Sequence, residues 1–206
     1  MLYETKELRW FFKDENKSIA NWFANLDKDL AEPKLRSDYY LPLEGIADVG
    51  IKLREGNIEI KQRRMKSNIY QLTDNAAGYL EQWDRWSFEI KDKDELAKKI
   101  TKKDKFEWIE VQKERWAIKI KGEKKNGDPK IVDIKEQLDS GCQLEYTKIN
   151  VKEEKWYTFS LEWFGEQFVE LSKDFLYEVL DDTRLAGKES MGYSEFLDVM
   201  AKRLRD

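Results

Sequence analysis

The chain has 206 residues, with 38 Lys and Arg against 42 Asp and Glu, a formal net charge of −4 and no histidine. The lack of His excludes a Ser-His-Asp triad, a Cys-His pair and imidazole metal ligation, so any catalysis must run on carboxylates, Lys, Arg, Tyr, hydroxyls or a metal held by oxygen. A hydrophobic fraction of 40% with eight Trp supplies core material in a chain that is 39% charged, and the lone Cys142 excludes an internal disulfide.

The expectation is one domain spanning residues 1–206, with neither linker nor repeat. No uncharged apolar run approaches the roughly 18 residues a bilayer span needs, and Met1 to Glu7 contain no apolar signal-like run. A soluble, cytoplasmic protein without membrane association is expected.

Tyr3 to Phe12 alternates aromatic and charged residues and predicts a strand. Ile19, Trp22, Phe23, Leu26 and Leu30 recur at spacings of three and four behind a cap at Asn16 or Ser18, which predicts an amphipathic helix. From Ala47 to Met65 the period becomes two, with Gly56-Asn57 placed to turn a hairpin between Val49–Arg54 and Ile58–Arg63. Trp86 to Ile90 predicts a strand, Asp94 to Ile100 a short helix, and Trp108 to Lys121 a long strand. Asn126-Gly127 would turn that strand back into Ile131–Ile134. Gln143–Val151 and Trp156–Phe164 flank the polar Lys152 to Lys155 as a third hairpin. Phe164, Phe168, Leu171, Phe175, Leu176 and Val179 predict a helix, and Tyr193 to Leu204 another. Seven or eight hairpin-linked strands in one domain tend to close and hide their edges, so the fold class is α+β: a closed antiparallel β-barrel of about eight strands with helices packed outside.

The side chains that share a strand face carry the functional information. Period two places Lys52 with Arg54, Glu59 with Lys61 and Arg63, Lys113 with Arg115, Lys119 and Lys121, and Glu7 with Arg9. Ile51, Leu53, Ile58 and Ile60 point the opposite way. Taken singly, each charged face is an ordinary solvated face of an antiparallel sheet. Taken together, the repeated pairs Lys52-x-Arg54, Lys61-x-Arg63 and Lys113-x-Arg115, with carboxylates interspersed, predict a barrel covered outside and charged inside. Clustered cations tolerate enclosure only if the space stays wet or receives a multiply charged anion, and polyphosphate is such an anion. Arg binds phosphate oxygens in pairs and Lys acts as a movable point charge, while carboxylates on the same wall suit Mg²⁺ or Mn²⁺.

Gly50-Ile51-Lys52-Leu53-Arg54 and Ile58-Glu59-Ile60-Lys61-Gln62-Arg63 resemble the paired strands of the CYTH superfamily, the triphosphate tunnel metalloenzymes. Asp38-Tyr39-Tyr40, Lys113-x-Arg115, Glu145, Glu162 and Tyr193-Ser194-Glu195 agree with that family in order along the chain. The resemblance implies a tunnel of eight antiparallel strands that binds triphosphate with a divalent metal. It implies that Arg9, Lys52, Arg54, Lys61, Arg63, Lys113 and Arg115 grip phosphate, and that Glu7, Glu145 and Glu162 hold metal. Glu59 or Glu162 would position the attacking water. Two positions depart from the family: Thr5 and Ser160 stand where it carries carboxylates, and each anionic ligand lost weakens metal binding.

The function implied is metal-dependent hydrolysis of an inorganic or organic triphosphate. The alternatives are a non-catalytic polyphosphate- or nucleotide-binding module and cyclisation of ATP, as in the class IV adenylyl cyclases. Tyr39, Tyr40 and Tyr193, and Trp83, Trp86, Trp108 and Trp116, are expected to serve packing, and Cys142 to be a buried small hydrophobe. The lysine pairs 98–99, 102–103 and 124–125 read as solvated faces. A net charge of −4 with no aromatic-basic motif disfavours nucleic acid as a partner.

Overall fold

Alternating side chains give each strand one polar and one apolar face, and the fold disposes of both by closing the sheet on itself. The computed structural model describes residues 2–27, 30, 32–90, 108–122 and 130–203. In chain order the elements are β1 (Leu2–Phe12), α1 (Lys17–Asn25), β2 (Lys34–Leu41), β3 (Val49–Arg54), β4 (Asn57–Gln71), β5 (Ala77–Glu89), β6 (Ile109–Lys121), β7 (Lys130–Asp133), β8 (Gly141–Val151), β9 (Glu154–Phe164), α2 (Lys173–Leu180), a 3-10 turn at Gly187–Glu189 and α3 (Tyr193–Arg203). Neighbouring strands run β2-β3-β4-β5-β1-β9-β8-β6, and β6 pairs back onto β2, which closes an eight-stranded antiparallel barrel. β2 pairs with β6 as far as Arg115, and β7 takes over the same edge from Ile118 to Lys121.

Tight turns set the registers. Glu55 and Gly56 both have positive φ (47° and 77°), the backbone a two-residue hairpin loop demands, so the β3–β4 turn centres one residue before the expected Gly56-Asn57. Lys152 and Glu153 (φ 47° and 70°) turn β8 into β9 in the same way. In β4 the pairing with β5 shifts at Arg64, because Arg63 faces Trp83, Met65 faces Gln82 and Lys66 faces Glu81. This bulge reverses the alternation, so Arg63 and Lys66 both reach the inward carboxylate of Glu81.

Two apolar clusters hold the barrel. Asn16 caps α1 by accepting from the Ile19 amide (3.0 Å), and Ser172 caps α2 by accepting from the Phe175 amide (3.3 Å). The buried sides of these helices, Trp22 and Phe23 of α1 and Phe175 and Val179 of α2, cover the outward Leu8, Trp10, Ile118, Leu144, Phe159 and Leu161. The third helix lies across one end of the barrel. Phe196, Leu197 and Met200 of α3 pack onto Phe11, Val111, Ile149 and Val151, which are the inward residues at that end of β1, β6 and β8. Phe11 and Phe196 stack with centroids 4.0 Å apart. The interior is therefore charged along its middle and apolar at the end that α3 closes.

Several elements differ from the sequence pattern. α1 ends at Asn25 instead of continuing to Leu30, since Leu26 takes extended backbone. Phe164 belongs to β9, and α2 begins only at Lys173. β5 starts at Ala77, nine residues ahead of Trp86, and β2 is a full strand where only Asp38-Tyr39-Tyr40 stood out. The Asp94–Ile100 helix, the Asn126-Gly127 turn and the three lysine pairs lie outside the described residues. Cys142 is a free, fully buried thiol, and burial raises its pKa well above the usual value. Among the described residues no helix is long and apolar enough to cross a membrane.

Candidate anion-binding tunnel

Closure of the barrel turns the charged strand faces toward one another around a cavity of about 940 Å³. Of the residues singled out in the sequence, Glu7, Arg9, Lys52, Arg54, Glu59, Lys61, Lys113, Arg115, Glu145 and Glu162 line it. Arg63 does not. Its guanidinium is held by Glu81 (2.6 Å) and by Glu195 of α3 (3.4 Å), beside the ring of Trp83.

Carboxylates from different strands divide the cations into groups. Arg9 Nε meets Glu7 Oε1 at 2.6 Å, and Lys61 Nζ reaches Glu7 Oε2 at 3.1 Å and Glu162 Oε1 at 3.6 Å. Arg115 Nε donates to Glu145 Oε2 at 2.5 Å, and Arg9 reaches the other oxygen of Glu145 at 3.5 Å. Lys52 (2.9 Å) and Arg54 (3.2 Å) share Glu59. Asp38, with no exposed surface, faces Lys113 at 2.8 Å, Arg36 at 3.4 Å and Arg54 at 3.7 Å. Lys113 also donates to the Tyr40 hydroxyl (2.9 Å), and its Nζ stands 4.0 Å from the centroid of the Tyr193 ring. Arg85 lines the same wall; its Nε is buried and has no hydrogen-bond partner among the described residues.

Titration of these groups follows from burial opposed by charge. Burial acts to raise Glu7, yet Lys61 and Arg9 outweigh it and hold the carboxyl at about 2. Glu59 is likewise held at about 2, burial being overcome by Lys52 and Arg54. Asp38 and Glu145 are pushed well down against the same burial, by Lys113 and Lys52 in one case and by Arg115 and Arg9 in the other. Cations show the cost of enclosure. Burial, reinforced by Arg54, lowers Lys52 to about 8, and burial lowers Lys113 well below the lysine range although Asp38 opposes it. Lys61 is raised, because Glu162 and Glu7 outweigh its burial.

Along the middle of the tunnel Arg9, Arg36, Lys52, Arg54, Lys61, Arg85, Lys113 and Arg115, eight cations, face five carboxylates: Glu7, Asp38, Glu59, Glu145 and Glu162. Lys119 adds a ninth cation to the cavity lining and Glu4, Asp139 and Glu166 add three carboxylates, so the lining together with Asp38 carries nine cations against eight carboxylates, with the positive excess concentrated among the groups just named. Such an arrangement attracts a multiply charged anion and lets guanidinium and ammonium groups share its oxygens.

The donor set leaves little for a divalent metal. Glu7 and Glu145 each have both oxygens engaged by basic groups, and Lys61 stands between the cross-strand neighbours Glu7 and Glu162. The buried hydroxyls of Thr5 and Ser160 have no hydrogen-bond partner among the described residues, but as neutral oxygens they do not replace carboxylates. No group of three acidic side chains suited to a metal occurs among the described residues. As arranged, the side chains do not fit an ion held by protein alone.

Several lining residues escaped the sequence reading. Arg36 and Tyr40 alternate with Asp38 on β2, and Arg85 with Trp83 on β5, so their period-two signal was present in segments not read as strands. Tyr40 and Tyr193 do pack, their rings stacked at 5.2 Å, but both also face the cations. Trp83 lines the cavity as well.

No family model matches the sequence, and no curated protein matches it. Among solved structures, the chain is similar to the PH1012 protein from Pyrococcus horikoshii OT3, with 16% identity, a TM-score of 0.42 and coverage of 92% of this chain and 98% of that one. It is also similar to a conserved hypothetical protein from Pyrococcus furiosus, with 15% identity, a TM-score of 0.40 and coverage of 92% and 98%.

Proposed function

We propose that the tunnel binds the phosphate chain of a short polyphosphate or an organic triphosphate, as the resemblance of its strands to the CYTH superfamily implies. The observation that carries this reading is the surplus of guanidinium and ammonium groups inside a closed barrel. A bound phosphate chain supplies negative charge and shifts the depressed Lys52 and Lys113 back toward the ordinary lysine range. Isothermal titration with tripolyphosphate tests it: saturable binding that weakens steeply with added salt is expected, and lack of binding at low salt refutes it.

Hydrolysis of the terminal anhydride is the second reading, favoured by Glu162. That carboxylate lines the cavity and pairs among the described residues with Lys61 alone, at 3.6 Å, whereas Glu7, Glu59 and Glu145 are each held by two cations. A water held by Glu162 gives that carboxylate a proton as its oxygen bonds to the terminal phosphorus, the bond to the bridging oxygen breaks, and Arg and Lys stabilise the charge that grows on the leaving phosphate. Mg²⁺ or Mn²⁺ would arrive as counter-ion of the phosphate chain. Phosphate release from tripolyphosphate with and without Mg²⁺ or Mn²⁺ separates binding from turnover, and assaying cyclic nucleotide from ATP separates hydrolysis from cyclisation. Glu162→Gln is expected to abolish phosphate release while preserving binding; turnover equal to wild type removes Glu162 from the reaction.

A further inference from the structure

We infer that Lys61 takes the place of a divalent ion between Glu7 and Glu162, so that the tunnel binds its phosphate chain in the metal-free form. The inference rests on the phosphate-binding reading above and specifies which state of the anion that site accepts.

Glu7 on β1 and Glu162 on β9 are register partners in an antiparallel pair, and both line the cavity. Like charges placed directly opposite each other repel, so a cation has to stand between them. Lys61 of β4 fills that place, its Nζ lying 3.1 Å from Glu7 Oε2 and 3.6 Å from Glu162 Oε1. The other oxygen of Glu7 is taken by Arg9 Nε at 2.6 Å. Two carboxylates are thus met by two tethered cations, and an added divalent ion would bring charge that nothing in the group offsets. Glu145 is filled in the same way. Its Oε2 accepts from Arg115 (2.5 Å) and Gln143 (3.4 Å), and its Oε1 from the Thr147 hydroxyl (3.1 Å) and Arg9 (3.5 Å). A divalent ion needs oxygen lone pairs at roughly 2.0–2.6 Å, and here they are spent on N–H and O–H donors.

Thr5 and Ser160 carry the argument from metal to anion. Each stands two residues before one of the paired carboxylates and on the same strand face, Thr5 before Glu7 and Ser160 before Glu162. The two residues are 5% and 1% exposed, and neither hydroxyl has a hydrogen-bond partner among the described residues. A carboxylate at either position would only accept and would repel a phosphate, whereas a hydroxyl donates to a phosphate oxygen. The residues that subtract metal ligands therefore add donors for the anion itself.

The test is calorimetric titration of the full chain with tripolyphosphate, in EDTA and in Mg²⁺ at matched ionic strength, for the wild type and Lys61→Gln. A separate titration with Mn²⁺ alone is followed by electron paramagnetic resonance, and circular dichroism confirms folding. The wild type is expected to bind tripolyphosphate at least as tightly in EDTA as in Mg²⁺, and to leave Mn²⁺ free. In Lys61→Gln the affinity in EDTA should fall about tenfold or more, the scale of a lost charge-assisted contact. Mg²⁺ should restore part of that loss, because Glu7 and Glu162 are left without the cation between them. Wild-type binding that tightens with Mg²⁺, saturable Mn²⁺ binding by the wild type, or an equal loss in the variant under both conditions overturns the inference while the tunnel reading stands. Should the variant not fold, the wild-type titrations decide alone. Binding of tripolyphosphate under neither condition overturns both.

Discussion

Lys113 Nζ and Asp38 Oδ2 meet at 2.8 Å with side-chain exposures of 2% and 0%, so the central ion pair of the tunnel is cut off from water. Neither oxygen of Asp38 makes a conventional hydrogen bond among the described residues, and its charge is answered by Lys113, Lys52, Arg36 and Arg54. The carboxylate acts as an internal counter-ion that gathers cations from β3, β6 and its own strand.

Asp38→Asn removes that charge and keeps the shape. Breaking a buried pair by neutralising one partner typically costs about 3–5 kcal/mol, so the variant should melt well below the wild type. Tripolyphosphate should recover part of the loss, because it answers the same cations. Thermal denaturation with and without the anion checks this; a variant as stable as the wild type would show that Asp38 does not hold the cluster.

Arg85 is expected to behave in the opposite way. Its Nε has no hydrogen-bond partner among the described residues, and Glu59, whose carboxylate its charge helps to stabilise, keeps Lys52 and Arg54 when Arg85 is removed. Arg85→Ala should weaken tripolyphosphate binding about tenfold or more, the scale of a lost charge-assisted contact. Its Tm should move by less than about 4 °C, the upper shift that 1 kcal/mol produces in a chain of this size. Unchanged affinity would remove Arg85 from the anion's path.

Anion binding should take up protons. Lys52 sits at about 8 in the free tunnel, and a phosphate beside it raises that value. At pH 8 Lys52 alone should then take up about half a proton, and affinity should fall as pH rises above 8. Calorimetry in buffers of different ionisation enthalpy measures the uptake. Proton release at that pH contradicts the account.

Acid should unfold the protein through its carboxylates. Glu7 and Glu59 are held at about 2 in the folded chain against an ordinary 4.5. Lowered folded values contribute stability that is fully present above 4.5 and disappears as pH falls through 2. Denaturant titrations should show a plateau above about pH 5 and a steady decline between 4.5 and 2; a flat profile through that window would mean these pairs do not stabilise the fold.

The hairpin of β3 and β4 was legible because Ile51, Leu53, Ile58 and Ile60 alternate with Lys52, Arg54, Glu59 and Lys61, and one glycine marks the turn. β2 was not. It lies between Pro33 and Pro42, its inward face is Lys34, Arg36, Asp38 and Tyr40, and its outward Leu35 is 80% exposed, so it shows no apolar stripe. Arg63 shares the inward face with Lys61, but its guanidinium is taken up by Glu81 and by Glu195 of α3, partners that the strand pattern does not reveal. Which strand face turns inward is settled by closure rather than by any one strand. The apolar end formed by Phe11, Val111 and Ile149 depends on α3, a partner remote in the chain.

Because Phe196 and its helix stopper the base, the barrel is a blind well, not a passage. On the proposed reading a phosphate chain could be lowered in only by a free terminus, which a phosphodiester flanked by sugars on both sides, as in the backbone of a nucleic acid, does not offer.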